Sequence, residues 1–229
     1  MEALRIKENL EKVRERIFQA ARRAGRDPEE IKLIGATKGV EPERIAEAVD
    51  AGLEIIGENY VQEAQRKYEV LGERVKWHMI GRLQRNKARH AVKLFEMVHS
   101  VDSLKLAQEL QKRAAQNEKR IEVLIQVNLS GEETKAGVSP EEVEGLARAI
   151  VEMPNLELKG LMTMPPFFDD PEGARPFFRA LRELRDRLTE RGLPLEELSM
   201  GMSGDFEVAI EEGATMVRIG TAIFGPRRY

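Results

Sequence analysis

The sequence predicts a single (β/α)8 barrel carrying an extra N-terminal helix. Short apolar runs alternate with amphipathic helical stretches throughout, eight such runs fit into 229 residues, and no glycine-rich turn of the dinucleotide-binding type follows the first. Near-continuous apolar strands belong to parallel sheets covered on both faces, and parallel strands need helical crossovers. A doubly wound open sheet is the alternative, but it commonly has fewer strands and the glycine-rich first turn that is missing here.

The first segment, Glu2 to Ala24, sets Leu4, Leu10, Val13, Ile17 and Ala20 at helical spacing and stops at Gly25. Apolar runs then follow at Lys32 to Thr37, Leu53 to Gly57, Trp77 to Gly81, Met97 to Val101, Ile121 to Asn128, Leu156 to Met164, Leu198 to Ser203 and Met216 to Phe224. Between them helical patterns occupy Pro42 to Ala51, Tyr60 to Leu71, Asn86 to Phe95, Ser103 to Asn117, Pro140 to Met153, Ala174 to Arg191 and Asp205 to Glu212. Several open on Ser, Asp or Pro, as helix starts require. No linker or shift in composition divides the chain, so one domain is expected over residues 1–229, with residues 1–25 as the N-terminal helix.

Composition narrows the function. Charged residues number 37 basic and 40 acidic, leaving no global pull toward nucleic acid. Cysteine is absent, which removes disulfides and thiolate chemistry and fits a reducing, cytoplasmic setting. The charged N-terminal stretch lacks a signal-peptide core, and no uncharged run approaches the ~20 residues of a membrane span. The three histidines, His78, His90 and His99, have no partners at metal-ligand spacing, so no metal is expected. Arg82, Arg85, Lys87 and Arg89 cluster without interleaved aromatics and read as a solvated helix start rather than an RNA site.

Chemistry in such barrels stands at the C-terminal ends of the strands. Lys38 closes the first run. Ile34, Ala36 and Lys38 share a strand face, and with Ile34 in the lumen Lys38 leans over the barrel mouth. Partial desolvation there favours the neutral amine that a Schiff base needs. Alone, Lys38 reads more readily as a lysine snorkelling into solvent. A second constellation changes that balance, because barrels commonly bind phosphate in the loops after strands seven and eight. Gly201-Met-Ser-Gly-Asp205 leads from strand seven into a helix, where Ser203 and Gly204 present unpaired amides at a helix start. In strand eight, Arg218 shares its face with Gly220, which admits close approach, and Thr221 adds a hydroxyl. Taken singly, these glycines could be turn glycines and Arg218 a structural ion-pair residue. Asn59 ends the second run, and His78 could meet a planar ring or simply be a satisfied strand histidine.

The motifs Ala36-Thr-Lys38, Gly57-Glu-Asn-Tyr-Val-Gln-Glu63, Trp77 to Arg89, His99-Ser-Val-Asp102, Val123 to Asn128, Gly160-Leu-Met162, Leu198 to Asp205 and Met216 to Gly225 run in order over nearly the full chain. In these the sequence resembles the pyridoxal phosphate homeostasis protein family, whose members are similar to the barrel domain of alanine racemase without its second domain. The resemblance implies a pyridoxal 5′-phosphate aldimine on Lys38, a phosphate held by Ser203, Gly204, Gly220 and Thr221, and Arg218 facing the ring nitrogen, with Asn59 and His78 near the cofactor. Gly39 stands where members often carry a larger residue. A guanidinium at the ring nitrogen disfavours its protonation and weakens the ring as an electron sink. A racemase also takes its second base from a domain for which no residues are left here. The resemblance therefore implies a monomeric cofactor carrier with no catalytic residue, serving the vitamin B6 balance and apo-forms of cofactor-dependent enzymes, without nucleic acid or membrane partners. The alternative is a low-activity amino-acid racemase.

Overall fold

Eight parallel strands close a barrel in sequence order, each register running from one strand to the next and from β8 back to β1. The structure, a computed structural model, describes residues 2–226, with side chains described from residue 5. The strands are β1 (Lys32–Ala36), β2 (Ile55–Glu58), β3 (Lys76–Met79), β4 (Met97–Val101), β5 (Ile121–Gln126), β6 (Leu156–Met162), β7 (Glu197–Ser199) and β8 (Met216–Ile219). Around them lie α1 (Glu2–Arg23), α2 (Pro42–Asp50), α3 (Val61–Leu71), α4 (Ala88–Leu94), α5 (Leu104–Gln116), α6 (Pro140–Val151), α7 (Arg175–Glu190), α8 (Phe206–Glu211) and α9 (Thr221–Phe224). Starts follow local chemistry. Ser103 accepts the Leu106 amide at 3.1 Å, and Pro42 and Pro140 occupy first helical turns where no amide partner is needed.

The lumen is filled by Ile34, Ile55, Met97, Leu124, Met162 and Met216, a packed cluster separate from the main core between strands and helices. Ile34 therefore faces inward, which puts Ala36 on the inward face of β1 by alternation, with Lys38 in the turn that follows. No helix of usual length follows β8. Instead α1 packs against α2, α8 and α9 and covers the slot between the last strand and the first, with Ile6, Leu10, Val13, Ile17, Ala20 and Ala21 buried. Gly25, with φ +68, ends it as expected. The expected contribution of Leu4 falls on a side chain outside the described ones.

β1, β3, β5 and β6 end one or two residues before the expected runs do, and the last two strands end four and five residues early. The seventh stops at Ser199, because Gly201 takes φ +101 and turns the chain into a loop. The eighth stops at Ile219, and residues 221–224 form α9 in place of the expected strand end, its Ile223 and Phe224 buried against α1. Asn9 Nδ2 donates to the Ile223 carbonyl at 3.0 Å, which satisfies a group that a continued strand would have paired. Among the described residues, no helix is long and apolar enough to cross a membrane.

Candidate functional site

Lys38 sits two residues beyond Ala36, the last residue of β1, in a tight turn. The Val40 amide donates to the Thr37 carbonyl at 3.0 Å, and Gly39 has φ +70, the left-handed conformation a type II turn requires at its third position. The Lys38 side chain is half-buried, its Nζ 5.3 Å from the centre of the Tyr60 ring, and no carboxylate lies within ion-pair reach among the described residues. Tyr60 had drawn no role from the sequence, although it stands in the Gly57-to-Glu63 motif.

Arg218 lies at the floor of the same end, 3% exposed, on the inward face of β8 beside Ile34. Its guanidinium donates to Ser199 Oγ at 2.5 Å and to the Thr163 carbonyl at 3.0 Å. No described carboxylate pairs with it, and burial holds it down to about 10, still charged at neutral pH. Beyond Ser199 the chain of contacts continues: Ser199 Oγ to His99 Nδ1 at 2.8 Å, then His99 Nε2 to His78 Nδ1 at 2.9 Å. A guanidinium can only donate, so Ser199 Oγ accepts from it, and each imidazole joins the chain as donor or acceptor according to its tautomer. Burial keeps both imidazoles neutral, His78 falling to about 3 and His99 well below its ordinary range. His78 is thus a buried lumen residue tied to Arg218 through two intermediaries, rather than a ring exposed at the mouth.

The loops after β7 and β8 come together. Ser203 Oγ accepts the Ala222 amide at 3.2 Å, joining one loop to the other, while the amides of Ser203, Gly204 and Thr221 have no acceptor among the described residues. A Cβ on Gly220 would lie 3.1 Å from the Ala36 carbonyl, so glycine lets the ends of β8 and β1 meet and brings this turn beside the Lys38 strand. One expectation needs correcting here. The helices after these loops, α8 and α9, have six and four residues, too short for a sizeable macrodipole, so any anion affinity rests on bare amides and Ser203.

Asn59 stands at the end of β2, where Gly81 approaches so closely that a Cβ would lie 2.6 Å from the Asn59 Cα. Beside it a hollow of about 280 Å3 is lined by Tyr60, Arg82 and Lys87. The more voluminous cleft, about 900 Å3, opens at the opposite, N-terminal end of the barrel among mixed charges such as Lys32, Glu122 and Glu157. Size does not locate the chemistry; the unpaired amine, the bare amides and the buried guanidinium all stand at the other end. No group of three or more metal-ligating side chains gathers among the described residues.

A barrel with a lysine closing its first strand and bare amides after its last two matches a known class: residues 5–228 fit the alanine racemase N-terminal domain. A pyridoxal phosphate homeostasis protein of Aquifex aeolicus is 53% identical over 224 residues, covering 97% of this chain and 98% of that protein. The chain belongs to the pyridoxal phosphate homeostasis protein family. Among solved structures, an uncharacterised protein from Bifidobacterium adolescentis superposes with a TM-score of 0.92 at 38% identity, covering 97% of this chain and 96% of that one. PipY of Synechococcus elongatus, solved with PLP bound, gives 0.86 at 34%, covering 96% and 100%.

Proposed function

We propose that this chain binds pyridoxal 5′-phosphate through a Schiff base on Lys38 and acts as a carrier of the cofactor rather than as an enzyme. The observation that carries the reading is the convergence of an unpaired amine, a buried guanidinium without a carboxylate partner and bare loop amides at one barrel mouth. The family's name and the PLP in PipY support it.

When bound, the cofactor supplies an aldehyde that condenses with an amine, forming a C=N bond and releasing one water. Lys38 Nζ is the amine. Ser203, Gly204, Gly220 and Thr221 hold the phosphate through amides and hydroxyls, and the close meeting of Gly220 with Ala36 sets that anchor next to the lysine. Arg218 faces the ring nitrogen as a donor, so that nitrogen stays unprotonated and the ring withdraws electrons weakly. Asn59 flanks the ring, and His78 acts from below by keeping the Ser199 hydroxyl in place for Arg218. The match over residues 5–228 supports one cofactor-binding domain. In this reading the protein works as a monomer in the cytoplasm and supplies apo-enzymes with cofactor.

Purified protein loaded with pyridoxal 5′-phosphate is expected to show the absorbance of a protein-bound Schiff base, fixed to Lys38 by borohydride and located by peptide mapping. Lys38→Ala should lose that absorbance. A mutant with an unchanged spectrum would refute the assignment.

A further inference from the structure

Beneath the Lys38 turn lies a buried ionic cluster that the reading above leaves unused. Lys67, on α3 and only 4% exposed, donates to the Thr37 carbonyl at 2.6 Å and to Glu63 Oε1 at 2.7 Å. The same Glu63 oxygen accepts the Gly39 amide at 2.7 Å. Glu58, fully buried at the end of β2, places Oε1 2.7 Å from Lys67 Nζ. The three hydrogens of the Lys67 ammonium thus have three oxygens around them, those of Thr37, Glu63 and Glu58.

The two backbone groups held in this way flank Lys38 on either side. Thr37 precedes it and Gly39 follows it, and one ammonium–carboxylate pair grips both. Thr37 is also fixed by its hydroxyl, which donates to the Gly57 carbonyl at 3.2 Å. A surface turn would be held well enough by its own i to i+3 bond, and an ion cluster this deeply buried carries a desolvation cost that a turn alone does not require. Burial raises Glu58 to about 7 against the opposing pull of Lys67.

We infer that Lys67 and Glu63, backed by Glu58, are positioning residues that aim the Lys38 amine at the aldehyde carbon by fixing the peptide groups before and after it. This rests on Lys38 being the Schiff-base lysine. The clamp acts on the direction of the amine and not on the phosphate anchor, which lies on the loops after β7 and β8.

The test compares two ligands of nearly the same shape: pyridoxal 5′-phosphate, and pyridoxine 5′-phosphate, whose alcohol cannot condense with an amine. In Glu63→Ala the aldehyde is expected to bind about tenfold more weakly, in keeping with losing charge-assisted hydrogen bonds, while the alcohol binds as before. Glu63→Gln, which keeps an acceptor oxygen, should regain most of that loss. In the cofactor-free protein, Gly39 amide exchange should rise in Glu63→Ala. Lys67→Met should reproduce the Glu63→Ala pattern; where it fails to fold, the partly exposed Glu63 position decides. Equal losses for both ligands, or no loss for either, overturn the clamp. A Schiff-base spectrum surviving in Lys38→Ala overturns instead the lysine assignment on which the inference stands.

Discussion

In the proposed reading, Arg218 is the single side chain that limits what the bound cofactor can do. It is a buried cation held by a hydroxyl and a carbonyl, neither of which neutralises it, so its charge is available to whatever enters the mouth. Beside a pyridine nitrogen such a group leaves no room for a proton. Arg218→Glu reverses this: the carboxylate should stabilise a protonated nitrogen, shifting the Schiff-base absorbance and changing cofactor affinity by an order of magnitude or more, about 1.4 kcal/mol. Titrating the loaded variant by absorbance checks it, and an indifferent spectrum would mean Arg218 is not at the ring. The placement of Lys38, Arg218 and Gly220 at one barrel mouth was legible in the sequence, because strand alternation and run endings define such positions. The partners of these residues were not. Ser199 and His99 lie 100 positions apart, and Lys67 reaches Thr37 across 30. Periodicity tells which face a residue takes, but not which distant polar group it meets on that face.

The helices and strands were foreseen in type and order wherever a run was long and its period unmixed. Errors gathered where glycine intervenes: apolar residues after Gly201 and Gly220 look like continued strand, yet those backbones turn, and burial of Ile223 and Phe224 is achieved by a helical turn instead. The N-terminal helix was recognised as amphipathic, but its place in the barrel was not, since a stripe of apolar residues does not name its partner. That place makes α1 part of the barrel wall. Leu10→Ala, at a fully buried position, is expected to cost about 2–5 kcal/mol through lost burial and an unfilled cavity. Thermal or denaturant unfolding measures this directly, and a loss below about 1 kcal/mol would mean that α1 rests on the barrel without supporting it.

For the folded protein as a unit, buried titrating groups set how stability varies with pH. His78, at about 3 when folded against an ordinary 6.5, stays neutral where the unfolded chain takes up a proton, so the stability present above 6.5 drains away as pH falls toward 3. His99 acts in the same direction. Glu58, raised to about 7 from 4.5, works oppositely: its contribution is present below 4.5 and lost as pH rises through 7. Two histidines outweigh one carboxyl between 4.5 and 6.5, and each costs up to about 1.4 kcal/mol per pH unit there. Melting temperature should therefore fall on acidification below 6.5, and in His78→Asn the acid-side slope should shrink even though the variant is less stable at every pH; an unaltered slope would place the effect elsewhere. Finally, the seam between β8 and β1 is covered by α1, whose Asn9 bonds a carbonyl 214 positions away, while Arg16 reaches Glu207 across 191. Contacts so distant along the chain close slowly and late. Until α8 and α9 on either side of β8 exist, α1 has only α2 to lie against, so a chain interrupted before them leaves much of its apolar stripe exposed and is a target for chaperones and proteases. The wall that completes the barrel thereby also reports that its synthesis has reached the last strand.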